Sequence, residues 1–240
     1  MYISPKTMTK IPHWPIVNFP THEIYARFAP GTLDTIKQIR NKYTTNLIYP
    51  RDIGICLFRG ITKNVTTTKT LHGKLTTIAS SVAPFQVEVL RPFRNRSAEE
   101  RNYPASVYYE ISNSPFNLLC IDLIILFKKH FTQYLPRPQI NKSFKIGITG
   151  EVKSYEESDK IVTELKTIEK PNPLLFDAFV LASRPNQNLL SRLDDEIQEF
   201  PFTANKETFE LYLQNLKAKR DVFFRKKLEK NQQNGGEILS

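Results

Sequence analysis

Asp52-Ile53-Gly54-Ile55 and Lys145-Ile146-Gly147-Ile148 are two copies of one short pattern, x-Ile-Gly-Ile, each set in an apolar run. An amphipathic segment and a proline-marked loop precede each copy. In a chain of 240 residues, a recurrence at such long range is what two similar halves brought together would leave behind. Four residues are few, so the meaning of the repeat depends on its flanks.

Before the first copy, His22 to Phe28 alternates like a half-buried strand, Pro30-Gly31 turns the chain, and Leu33, Ile36, Ile39, Arg40 and Tyr43 recur at helical spacing. Ile53 to Phe58 is β-branched and apolar enough for a buried strand that Gly60 stops. A helix is predicted from about Lys69 to Ser81, ended by Pro84. An alternating strand follows from Phe85 to Leu90, then an arginine-rich loop and a strand from Val107 to Ile111. Pro115 suits the first turn of a third helix, predicted from Pro115 to Tyr134. The second repeat strand, Phe144 to Thr149, leads to a helix from Ser154 to Ile168 and a last strand from Phe176 to Ala182.

This order predicts an α+β protein of two pseudo-symmetric lobes, antiparallel sheets lining a central cleft with helices outside, plus a C-terminal helical extension. The expected organisation is an extended proline-rich arm over residues 1–20, the bilobal domain over 21–185, a helical extension over 186–230 and a disordered tail over 231–240. Within the extension, Leu189 to Phe200 is acidic and reads as a short docking helix. Phe209 to Lys230 reads as a strongly basic helix with Phe209, Leu213, Leu216 and Phe223 on one stripe.

Composition narrows the functional classes. Forty per cent hydrophobic and 24% charged residues fit an ordinary globular chain, and no apolar run reaches the eighteen or so residues of a membrane span, so no membrane partner is expected. Cys56 and Cys120 lie in apolar segments, as core residues in a reducing compartment would. His13, His22, His72 and His130 lack metal-ligand spacing, and no phosphate-cradling loop or catalytic triad is recognisable, so no metal and no cofactor are expected. Cytoplasmic or nuclear residence is the default reading, with a mitochondrial one left open. A net charge of +10 makes a polyanion such as RNA a natural partner, with simple solubility as the plain alternative.

The order of elements and the residues around the two copies resemble the 2H phosphoesterase superfamily, which includes LigT-like RNA ligases and cyclic phosphodiesterases. The resemblance runs from about residue 21 to 185. It rests on Arg51 to Gly60 as the first cleft strand, Phe144 to Thr149 as the second, and the Pro84-Phe85, Val107 to Ile111 and Phe176 to Ser183 segments in matching order. It implies a cleft to which each lobe brings a His-x-Thr or His-x-Ser strand. Here Asp52 and Lys145 stand at the histidine positions, and Gly54 and Gly147 at the hydroxyl positions. Acid–base work near neutrality needs matching pKa values, whereas aspartate titrates near ~4 and lysine near ~10. Glycine has no hydroxyl to orient a phosphate. No catalytic residue is therefore assigned, and the reading leans to a pseudoenzyme.

What remains are basic groups. Arg91, Arg94, Arg96 and Arg101 would form a rim near the cleft with Phe93 and Tyr103. Lys145 would hold a phosphate within it, and Lys217, Lys219, Arg220, Arg225, Lys226 and Lys227 would line the C-terminal helix. The expected function is RNA or ribonucleoprotein binding without catalysis. The alternatives are a protein-assembly scaffold docking through the C-terminal helix, and a phosphodiesterase acting on RNA or cyclic nucleotides with non-standard residues.

Overall fold

The computed structural model of the protein describes residues 21–43, 53–62, 67–94, 106–127, 131–134, 144–149, 152, 154–168, 170–171, 173–184 and 196–235. In chain order its elements are β1 (Thr21–Phe28), α1 (Pro30–Tyr43), β2 (Gly54–Thr62), α2 (Thr67–Ala79), β3 (Phe85–Val87), β4 (Val89–Arg94) and β5 (Val107–Ile111). There follow α3 (Phe116–Phe127), β6 (Phe131–Tyr134), β7 (Phe144–Gly147), α4 (Tyr155–Thr167), β8 (Leu174–Arg184), β9 (Glu196–Pro201) and α5 (Lys206–Gly235).

The fold is α+β with two antiparallel sheets. Sheet A runs β3-β8-β1-β2-β6, with β9 also paired to β8; sheet B runs β4-β5-β7. In β1, Ile24, Ala26 and Phe28 face the core, while Glu23, Tyr25 and Arg27 alternate onto the other face. Leu71, Leu75, Ile78 and Ala79, spaced as one helix face, bring α2 onto that core, and α3, apolar nearly all round, is buried within it. Val107, Tyr109, Ile111 and Ile146 bring sheet B into the same cluster, so both sheets share one core. Ser154 caps α4 by accepting a bond from the Glu157 amide (3.1 Å), and Glu156 and Glu157 suit the positive helix end.

Four local readings are corrected. Phe85 to Leu90 alternates throughout, yet Phe85 pairs with Phe176 of sheet A while Val89 pairs with Ile111 of sheet B. Exposed Glu88 is the crossing point between sheets, and its carbonyl accepts from the Ser112 amide (2.9 Å). Gly60 does not stop β2, which continues to Thr62. The helix expected to reach Tyr134 ends at Phe127, and Phe131–Tyr134, rich in strand-forming residues, joins β2 instead. The acidic segment up to Phe200 is not helical from residue 196 onward: Glu196–Pro201 pairs along β8, with Phe200 buried. Residues 189–195 lie outside the described ones, as do the arm over 1–20 and the tail over 236–240.

The core therefore does not end at residue 185. Phe200, Phe202, Phe209 and Leu216 all belong to it. Phe85 stacks on Phe176 (5.4 Å) and Phe202 (5.8 Å) and touches Phe116 (5.5 Å) and Phe209 (5.8 Å). Asn205 caps α5 at the Thr208 amide (2.8 Å), and Tyr212 donates to buried Asp122 of α3 (2.6 Å). Burial and the adjacent Asp122 carboxylate push the Tyr212 phenol well above its usual range, so it stays a donor. At the opposite side of the molecule β4 is an outer strand. The Leu90 carbonyl accepts from the Lys170 ammonium (2.7 Å), and Pro92 has no N–H to offer.

Two stability measurements follow from this packing. Phe85→Ala removes the ring common to four aromatic contacts and is expected to cost about 3–5 kcal/mol in urea denaturation. His22 is buried and its pKa is lowered to about 4 by desolvation and by nearby His72. The native state thus keeps this imidazole neutral, while the unfolded chain takes up the proton below the ordinary value of 6.5. Its contribution is complete above pH 6.5 and is lost as pH falls towards 4, by up to about 3 kcal/mol. Stability measured across that range should slope more shallowly in His22→Gln.

Candidate nucleic-acid-binding face

Strand β7 places its alternate residues on opposite faces of sheet B. Ile146 is buried beside Tyr109, whereas Lys145 is exposed and Gly147 shares its face. Register then sets Glu110 opposite Lys145, Tyr108 opposite Gly147, Arg91 opposite Glu110 and Phe93 opposite Tyr108. The face turned away from the core thus carries Arg91, Phe93, Tyr108, Glu110, Lys145 and Gly147. It owes this make-up to the two-residue period of three short strands.

The side chains form a row across the strands. The Phe93 and Tyr108 rings stack at 5.7 Å and 28°, and the Lys145 ammonium lies 4.2 Å from the Tyr108 ring centre. Gly147 brings no Cβ next to that ring. Arg91 donates through Nε to Glu110 (2.6 Å), yet its side chain stays 73% exposed. A cation held on an aromatic face next to a second exposed cation can meet a phosphate and a planar group together. The row continues into a groove of about 800 Å³ along the outside of β4, whose walls include Arg91, Phe93, Glu110, Arg94, Asp159 and Lys166.

Arg94 is turned to the opposite face. Its Nε donates to Asp159 of α4 (2.8 Å) and its guanidinium lies 5.0 Å from the Tyr155 ring centre, so it braces α4 against sheet B. On the same covered side, burial raises the Tyr109 phenol to about 12. Arg40 of α1 donates to the Gly147 carbonyl (2.8 Å) and fixes the end of β7.

The first copy of the repeat is built differently. Asp52 lies outside the described residues. Gly54 opens β2 where β1 passes so close that a Cβ would stand 1.8 Å from the Ala26 carbonyl oxygen and 2.9 Å from the Arg27 Cα. Both obstacles are backbone. Next to it the Phe28 amide bonds to the Ile53 carbonyl (2.9 Å), and the register of β1 with β2 shifts further along, at Ile24/Tyr25. Glycine here is a packing requirement, and a hydroxyl side chain does not fit while β1 keeps its place.

The expected basic residues fall into separate groups. Arg91 and Lys145 share the open face of sheet B, and Arg94 lies behind it. Arg96 and Arg101 lie outside the described residues. Lys217, Lys219, Arg220, Arg225, Lys226 and Lys227 belong to α5, whose packing partner is α3. There Lys219 lies 3.6 Å from Asp122 and Arg220 pairs with Asp221 (3.1 Å), while Lys217 and Arg225 are exposed. Tyr108 and Glu110 are additions that sequence reading did not single out, although the alternation of Val107 to Ile111 already placed them on the polar side. Among the described residues no three His, Cys, Asp or Glu side chains are grouped to hold a metal ion, and no helix is long and apolar enough to cross a membrane.

Substituting Gly54→Ser should lower stability by about 3 kcal/mol, the upper range of overpacking costs, as read from the urea midpoint.

No family model matches the chain, and no curated protein is a close relative. Among solved structures it is similar to Kluyveromyces marxianus Usb1, with 9% identity and a TM-score of 0.40 over 77% of this chain and 98% of that one. A second structure of the same protein, with uridine monophosphate, gives 9% identity and a TM-score of 0.38 over 77% of this chain and 99% of that one.

Proposed function

We propose that the chain binds RNA, or an RNA–protein complex, on the open face of sheet B, and that it does so as a catalytically inactive protein of 2H phosphoesterase type. The observation that carries this reading is the row of Phe93, Tyr108 and Lys145 beside exposed Arg91. Stacked rings accept a base and the cations accept its phosphates. What supports a lack of catalysis is that a lysine, Lys145, stands at a position where the resembled chemistry uses histidine, and that Gly54 has no room for the hydroxyl that chemistry uses.

Lys217 and Arg225 of α5 are further exposed cations, in a group separate from the sheet B face, in a protein whose net charge is +10. A second reading, docking of α5 on a protein partner, is favoured by Leu211 and Val222, large apolar residues 59% and 52% exposed on that helix.

Equilibrium binding of RNA oligonucleotides as a function of salt separates these readings. The RNA reading expects affinity to fall steeply with salt, and Arg91→Ala or Lys145→Ala to weaken binding and each to reduce the salt slope by about 0.7–1. No 2′,3′-cyclic phosphate should turn over. Binding that is absent or independent of salt overturns the proposal. Co-purification of a protein after nuclease treatment, lost in Leu211→Asp or Val222→Asp, supports the α5 reading instead.

A further inference from the structure

The outer face of sheet A has a character opposite to that of sheet B. Tyr25, Val180 and Ala182 form a small apolar cluster there with Ile53 and Cys56 against it, separate from the main core. Val180 is 1% and Ala182 2% exposed, and the cluster is separate from the main core to which Leu71, Leu75, Phe116, Leu119 and Leu165 of the helices belong. Tyr25 donates to the buried carboxylate of Glu23 on this same face. Where β1 ends, a pocket of about 340 Å³ opens between Leu33, Asp34, Ile53, Val180, Ile197 and Glu199. Its floor is apolar, and Ile197 stands 55% exposed at its rim.

The rim is acidic. Arg27 is the cation at the pocket, and it is already bound by Asp177 (2.8 Å) and by Glu199, with Asp34 in addition. One guanidinium thus faces three carboxylates in a protein that is strongly basic overall. Such a rim repels phosphate, and the volume accommodates one or two side chains rather than a run of nucleotides.

We propose that this face seats the chain's own N-terminal arm, residues 1–20, with Trp14 in the pocket beside Ile53 and Val180. The arm is tethered to β1 at Thr21, so its docking is intramolecular and needs no second molecule, although ordering its residues costs conformational entropy. Six residues lie between Trp14 and Thr21, so the extended reach is about 24 Å, and β1 from Thr21 to Arg27 spans about 20 Å. An arm folded back along β1 therefore brings Trp14 to the pocket. Its chemistry is the complement of the rim: Lys6 and Lys10 are present, and no Asp or Glu occurs among its twenty residues. Ile11, Ile16, Val17 and Phe19 match the apolar floor. Pro5, Pro12, Pro15 and Pro20 remove backbone donors, so the arm is suited to docking by side chains across the face rather than to adding a strand.

The inference does not depend on RNA binding, and Trp14, the single tryptophan, reports on it. In the full-length protein, acrylamide should quench Trp14 severalfold less efficiently than in a synthetic peptide of residues 1–20. Asp34→Lys and Ile197→Asp, both at exposed positions, should each raise quenching towards the peptide value while circular dichroism stays unchanged. A Trp14 as accessible as in the peptide overturns the proposal. So does protection that neither substitution alters, because the arm would then rest elsewhere. Protection that grows with protein concentration overturns it in favour of docking between molecules.

Discussion

The ring of Phe85 meets Phe116 of α3, Phe176 of β8, Phe202 after β9 and Phe209 of α5. Four parts of the chain that are distant in sequence converge on one side chain at the start of a three-residue strand. Immediately beyond it the chain leaves sheet A and enters sheet B at Glu88. The position of β4, and with it Arg91 and Phe93 on the open face, thus depends on where Phe85 is held. Aromatic contacts of this kind add about 0.5–1.5 kcal/mol each beyond area burial, and their geometry fixes orientation as well as energy.

Much of this was legible in the sequence, for identifiable reasons. Ile24, Leu71, Leu75 and Ile161 recur with the period of their element, so the strands and helices that carry them announce themselves. Lys145 and Gly147 share the open face of sheet B because strand alternation leaves no other arrangement once Ile146 is buried. The misreadings arose where pairing partners, not local pattern, decide the outcome. Phe85 to Leu90 keeps one alternation across a change of sheet. Glu196–Pro201 has no clean alternation, since Phe200 alone is buried beside exposed Ile197, Gln198, Glu199 and Pro201, and it is a strand because it pairs along β8. The crowding at Gly54 was invisible for the same reason, since it is made by β1, residues away in sequence and adjacent in space.

Charge is divided between the two sheets. Sheet B presents exposed Arg91 and Lys145 around a pair of rings, whereas sheet A presents Glu23, Asp177 and Glu199 around an apolar cluster, with Arg27 neutralised among them. The hydrogen bond to Asp177, with that to Glu199, raises the Arg27 guanidinium above its ordinary value. This division makes the molecule polar in the electrostatic sense, and a polyanion approaching from solution meets the sheet B side more favourably.

The outer edge of β4 has a bearing on how this protein coexists with copies of itself. An unpaired edge is an invitation to foreign backbone, and a three-stranded sheet with a free margin is open to end-on growth. Here the margin is closed twice: the Leu90 carbonyl is engaged by Lys170, and Pro92 brings no donor. With neither partner available at successive outward positions, an incoming strand finds no ladder to extend. At high local concentration, such as on a shared scaffold, the molecules are kept from assembling through the β4 edge as fibres do.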